Sequence, residues 1–285
     1  MDDRYLNLPN FVALSDPAWT LGSLSLMVAY GACFAFIVYF VLTSLQLAPR
    51  YKLVAILSAV VMASAGLSLL REWSMWSASY DYDVALGLWQ PLADNQTFSN
   101  AYRYGNWLIT VPLLLTQLPL ALGLARSDTH KRATRMIIAG TLMIVTGLVG
   151  QFGEVADLGM FNLWGIISSV FFFWLLYEVW GVIRAGKLVT PAALAKWPGN
   201  LFWYMLATWG PYPIAYALPQ LGATEGIVVA QQIAFTVADL STKLFYGVLL
   251  SRFCLRKSAL EGYAPAMAAL DDTGTLSAAP APQVK

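Results

Sequence analysis

The chain has 285 residues, 58% of them hydrophobic and 12% charged, with a formal net charge of +1. That charge content is about half the usual share of a soluble domain, and the near-neutral balance argues against a nucleic-acid partner. The two cysteines, Cys33 and Cys254, fall within or at the edge of apolar runs, which argues against a disulfide framework.

Six stretches, 17–49, 53–70, 104–125, 136–153, 158–177 and 197–224, contain no Asp, Glu, Lys or Arg, and a seventh, 226–251, is broken only by Asp239 and Lys243. Each is about long enough to cross a ~30 Å hydrocarbon core as a helix. The expectation is an all-α membrane protein, a bundle of seven transmembrane helices in one domain over residues 1–263. The first ten residues, MDDRYLNLPN, are acidic, and the first apolar run exceeds a signal h-region, so no cleaved signal peptide is expected. Helix A is predicted over 18–46 and helix B over 52–76, with Arg50 and Lys52 between them. An acidic connection follows, carrying Arg71 against Glu72, Asp81, Asp83 and Asp94. Its part YDYDVALGLWQPLADNQTFSN is rich in aromatics and turn formers and is expected to fold over the adjacent face as a cap. NQT at 95–97 matches a glycosylation sequon, for which chance is the simpler account.

Helix C is predicted over 101–125, D over 132–152, E over 160–184, F over 199–221 and G over 227–256. Short D–E and F–G connections make those pairs antiparallel neighbours. Basic connections (Arg126, Lys131, Arg132 and Arg135; Arg184, Lys187 and Lys196) alternate with acidic ones (Glu154 and Asp157; Glu225), and Arg252, Arg256 and Lys257 begin the tail. By the positive-inside rule the N-terminus lies outside and the C-terminus inside. Residues 264–285, APAMAALDDTGTLSAAPAPQVK, are Ala/Pro-rich and are expected to form a disordered cytoplasmic tail. His130 in an inner connection is read as solvated.

Two features invite chemistry. Lys243 sits near the middle of helix G with Asp239 one turn away on the same face. A buried ion pair that locks helices together is the plain reading, but ionisable groups at membrane depth are costly and usually functional. A central lysine can also form a Schiff base with an aldehyde cofactor, and Asp239 would balance its charge. Trp107, Trp164, Trp209 and Tyr212 could wall a slot for a long conjugated ligand, although each alone reads as packing. Pro211 and Pro213 should kink helix F. On helix C, the stretch RYGNWLITVPLLLTQ sets Arg103 before a polar stripe of Asn106, Thr110 and Gln117.

RYGNWLITVPLLLTQ (103–117), MIVTGLVGQFGEV (143–155), WGIISSVFFFW (164–174), WGPYP (209–213) and DLSTK (239–243) resemble, in order, helices C to G of the microbial rhodopsins. The resemblance implies all-trans retinal on Lys243 as a protonated Schiff base, with Asp239 as counter-ion and Arg103 beside it. Trp107, Met143, Gly147, Trp164, Trp209, Tyr212 and Pro213 match pocket positions. Proton pumps of the family carry a carboxylate at the position of Asn106 and often an acid at that of Gln117. Sodium pumps, which resemble the chain more closely overall, carry Asp at that of Thr110. The Asn-Thr-Gln set resembles that of bacterial light-driven chloride pumps, in the cell (inner) membrane. The resemblance therefore implies inward chloride or halide transport, not enzymatic chemistry. With Asn106 neutral, Lys243⁺, Arg103⁺ and Asp239⁻ leave about one positive charge over, and at an effective ε of ~20 unit charges 4 Å apart interact by roughly 4 kcal/mol. A halide hydrogen-bonded by Asn106 and Thr110, entering past Arg103, would complete the set. Ser64 resembles a serine near the Schiff base in related pumps, from where it could donate to the anion, with small-residue packing as its rival account. Gln117, about 16 Å further along helix C, is either a waypoint or an interhelical bond. Gln231 stands where relatives often have a basic residue that could pair with Glu154. A photosensor acting on a separate partner and a light-gated anion channel are the competing readings. A homo-oligomer, trimer or pentamer, follows by family analogy alone.

Overall fold

The computed structural model describes residues 7–92 and 98–271. The helices are α1 (Asp16–Gln46), α2 (Lys52–Ala78), α3 (Ala101–Leu122), α4 (Arg126–Gln151), α5 (Leu158–Val189), α6 (Trp197–Trp209), α7 (Pro211–Ala217), α8 (Glu225–Leu240), α9 (Tyr246–Leu260) and α10 (Ala264–Asp271). Among the described residues, α1 to α9 build seven rods. Six are long and apolar enough to cross a membrane, the last of them α8 and α9 joined by a π-helical turn, Ser241–Phe245. The remaining rod is α6 and α7 with a 3-10 turn, Leu218–Leu221. It is interrupted where Pro211 and Pro213 remove amide donors and crowd the carbonyls four residues back.

Sequential rods pack as neighbours, and α8 against both α1 and α7 closes the ring. Leu26, Phe40, Met62, Leu115 and Phe253 are buried in one cluster that extends to Leu270. Val38, Leu45, Phe173 and Trp203 stay exposed on the outside, an arrangement that suits hydrocarbon as solvent.

The expected cap is a hairpin. Strands β1 (Leu14–Ser15), β2 (Tyr80–Asp83) and β3 (Leu88–Pro91) form an antiparallel sheet in the order β1-β3-β2. Asp83 Oδ1 accepts from the amides of Ala85 (2.8 Å) and Leu86 (3.1 Å) in the turn. Trp89 stacks on Trp19 at 3.8 Å, so the sheet sits on the end of α1. What crosses this end of the bundle is the N-terminal segment. Leu8, Pro9 and Asn10 form a buried 3-10 turn. Asn7 Oδ1 accepts from Asn100 N (2.7 Å), Asn10 Nδ2 donates to Phe98 O (2.8 Å), and Leu8 N donates to Glu154 Oε1 (2.9 Å).

Two expectations need correction. The tail is not disordered from 264 onward: α10 packs on α9 and α1 with Ala266 and Leu270 buried, because these small apolar residues recur at the helical spacing of four. Arg71 and Glu72 do not belong to the acidic connection, since both lie in α2, which carries Glu72 inside the bundle. The sequon at 95–97 and residues 272–285 lie outside the described residues.

Candidate functional site

The site is assembled by α3 and the last rod. Between α8 and α9 the π turn Ser241–Phe245 widens the helix and contains Lys243; single π turns inside α-helices recur at functional sites. Lys243 and Asp239 are 2% and 5% exposed. Asp239 Oδ1 accepts from Lys243 Nζ, from Trp107 Nε1 (2.9 Å) and from Tyr212 OH (2.9 Å), while Oδ2 accepts from Arg103 Nη1 (3.0 Å). Four donors on one carboxyl group is the pattern of an ionised acceptor. Arg103 Nη2 also donates to Gln232 Oε1 (3.1 Å) and Thr236 Oγ1 (3.3 Å).

One member of this cluster escaped the sequence reading. Glu72 is 0% exposed, and its Oε2 lies 3.9 Å from Arg103 Nε. Among the described residues, neither Glu72 oxygen, nor Arg103 Nε, has a hydrogen-bond partner. The available signal was spacing: Ser64, Ser68 and Glu72 recur every four residues on one face of α2.

Asn106, Ser64 and Thr110 form a second cluster. Asn106 Nδ2 donates to Ser64 Oγ (2.8 Å), and Thr110 Oγ1 donates back to Asn106 O (3.0 Å). Among the described residues neither Asn106 nor Thr110 hydrogen-bonds Lys243 or Asp239; α3 itself joins the two clusters through Arg103 and Trp107. A cleft between α2 and α3, lined by Ser64, Ser68, Arg71 and Asn106, reaches the second cluster from the side. Gln117 lies apart and buried, with Nε2 donating to Ser58 Oγ (3.2 Å) and Oε1 without a hydrogen-bond partner among the described residues. That is the interhelical bond expected of one of its two readings.

A cavity of about 240 Å³ adjoins Lys243. Of the expected pocket residues, Trp107, Met143, Gly147, Trp209, Tyr212 and Pro213 line it. Trp164 does not. One residue step turns a helix by ~100°, which places Gly165, Ser168 and Phe172 of α5 in the wall instead. A Cβ at Gly165 would stand 2.8 Å from the Tyr216 ring, and one at Gly147 would stand 3.1 Å from the Tyr104 ring. Ile166 lines the cavity and is 65% exposed, so the cavity opens sideways. A buried amine in an aromatic slot, held beside a carboxylate, fits an aldehyde bound as a Schiff base.

The model of the family described as bacteriorhodopsin-like protein matches residues 20–256. The chain is a microbial rhodopsin. The crystal structure of xanthorhodopsin, described as a light-driven ion pump with dual chromophore, superposes with a TM-score of 0.81 at 34% identity, covering 88% of this chain and 98% of that one. Green-light absorbing proteorhodopsin of Gamma-proteobacterium EBAC31A08 is 24% identical over 183 residues, 64% of this rhodopsin and 71% of that protein. At greater distance, the Coccomyxa subellipsoidea rhodopsin, described as a light-driven proton pump, shares 17% identity over 84% of this chain and 98% of that one. Its TM-score is 0.62, and it shows the fold alone. Family membership implies a retinal chromophore, and the residues around Lys243 suit one.

At the strap end, Glu154 is buried, and its Oε2 accepts from Gln151 and from Gln231 Nε2 (3.3 Å). Gln231 thus meets the acid without a charge of its own. Burial pushes the Glu154 carboxyl above its ordinary value, against hydrogen bonds from Leu8, Gln231 and Gln151 that pull it down.

Proposed function

We propose that this rhodopsin is a light-driven inward halide pump with retinal on Lys243. The observation that supports it is the second cluster. Asn106 Nδ2, Ser64 Oγ and Thr110 Oγ1 gather hydrogen-bonding groups at the helix positions where an acid would serve proton or sodium transport, and no acid stands there. Xanthorhodopsin's description as a light-driven ion pump supports pumping in general. Bound retinal would supply light absorption and a cationic N–H that changes direction. The chain's own residues do the rest. Asp239 holds one compensating charge, fixed by Trp107, Tyr212 and Arg103. Asn106, Ser64 and Thr110 solvate the anion, and the Gln117–Ser58 bond closes the inner half until the anion passes. The N-terminus outside, the C-terminus inside, a bacterial inner membrane and a trimer or pentamer belong to the same proposal.

Glu72 alters the charge count. With Glu72 ionised, Lys243 and Arg103 are balanced by Asp239 and Glu72. With Glu72 neutral, one positive charge remains for a halide. Light-driven proton pumping is the second reading, and the buried Glu72 is what favours it.

Illuminated cells carrying the pigment decide between them. Inward halide transport turns the medium alkaline in chloride, more so with protonophore, and fails in sulfate. Acidification abolished by protonophore makes it a proton pump, and silence in both salts points to a sensor.

A further inference from the structure

We propose that Glu72 is a proton-binding site linked to the anion site: the cluster takes a proton onto Glu72 as it takes up halide and gives it back as the halide leaves. This rests on the halide reading above. Glu72 lies two turns beyond Ser64 on one face of α2, about 12 Å along the axis, and is wholly buried. A carboxylate built to anchor an arginine accepts hydrogen bonds at roughly 2.7–2.9 Å. Glu72 stands 3.9 Å from Arg103 Nε, and among the described residues both groups lack a hydrogen-bond partner. An ionised carboxylate left so is costly, which favours the neutral acid.

The charges facing it are few. Arg103 reaches it from α3, but that guanidinium already serves Asp239, Gln232 and Thr236. Asp239 from α8 is a like charge, with Lys243 of the π turn behind it. Arg71, next along α2, is exposed over the Tyr102 ring at 5.3 Å. Beyond Asp16, which accepts from Trp89, α1 contributes no charged residue. Asp81 and Asp83 of β2 accept from amides of their own hairpin. Lys257 of α9 donates to Ala121 O and Leu122 O at the other end of α3. An ionised Glu72 and a halide by Asn106 therefore draw on the same positive charge of Arg103 and Lys243. Two ligands that share one compensating charge are coupled, and the coupling is reciprocal.

The test is a chloride titration of the purified, retinal-loaded full-length pigment and its E72Q variant, read by the visible band in a sulfate background at several pH values. Wild-type chloride affinity should fall with rising pH by about tenfold per unit once Glu72 ionises, with a total on the order of 5- to 150-fold. E72Q should keep the tight affinity throughout. A wild type without pH dependence, or an E72Q variant that keeps the wild-type slope, overturns the linkage. Infrared spectra supply a reading free of transport: a carboxylic-acid band present in wild-type pigment in chloride and missing in E72Q supports the proposal. Its absence from the wild type at every pH overturns it. If neither protein responds to chloride, the halide reading and the linkage both fail, and the same band read in sulfate shows whether Glu72 still holds a proton.

Discussion

At Asp239, four donors from three separate segments (α3, α7 and the π turn) meet one carboxyl group. Hydrogen bonds to a charged group contribute about 1.5–3 kcal/mol each. Tyr212→Phe should therefore lower stability by roughly that amount, read as a drop in thermal bleaching midpoint. On the halide proposal, Thr110→Asp places a fixed negative charge beside Asn106 and should abolish any response of the visible band to chloride; an unchanged titration would remove the anion from that cluster. Much of this was legible in the sequence. Lys243 and Asp239 announced themselves as charges one turn apart in an apolar run, and Arg103, Trp107 and Tyr212 followed from the motifs around them. Glu72 was hidden because a charge next to Arg71 reads as the end of a span. Its place on the inward face of α2 buries it. Trp164 failed by one step of helical rotation, which no motif fixes to better than a residue.

Among the elements, α3 stays whole despite Pro112 and Pro119 and ends at Gly123. That residue has φ +74°, and a Cβ there would stand 2.8 Å from Lys257 Nζ. Gly123→Ala should thus destabilise the protein by about 1 kcal/mol or more, with the loss appearing in thermal unfolding and not in the band position. The rods were readable because long uncharged runs leave a helix little alternative in hydrocarbon. The breaks were less so. Pro211 and Pro213 signalled a kink in the sixth rod, but not its division into α6, α7 and a 3-10 turn. By composition the α10 segment is Ala/Pro-rich and suggests disorder, while Ala266 and Leu270 act by position.

Over the whole molecule, the N-terminal strap and the α4–α5 turn meet at Glu154. Burial raises this carboxyl above its unfolded value, near 4.3. The sign follows directly. The raised value favours the folded form fully below the unfolded value, and that contribution is lost as pH climbs through the folded one. Wild-type thermal stability should accordingly fall as pH rises from about 4, and Glu154→Gln should flatten the fall. Equal slopes in the two proteins would place the pH dependence elsewhere. Nothing in the acidic first ten residues foretold a strap, since its contacts join residues more than eighty positions apart.

The wide turn at Ser241–Phe245 also acts as a phase offset between the halves of the last rod. Asp239 keeps time with the chromophore side, whereas Lys257 keeps time with the carbonyls of Ala121 and Leu122. Deleting one residue between them would rotate one half against the other by about 100°. The chain could then satisfy its inner lock or its colour centre, but not both.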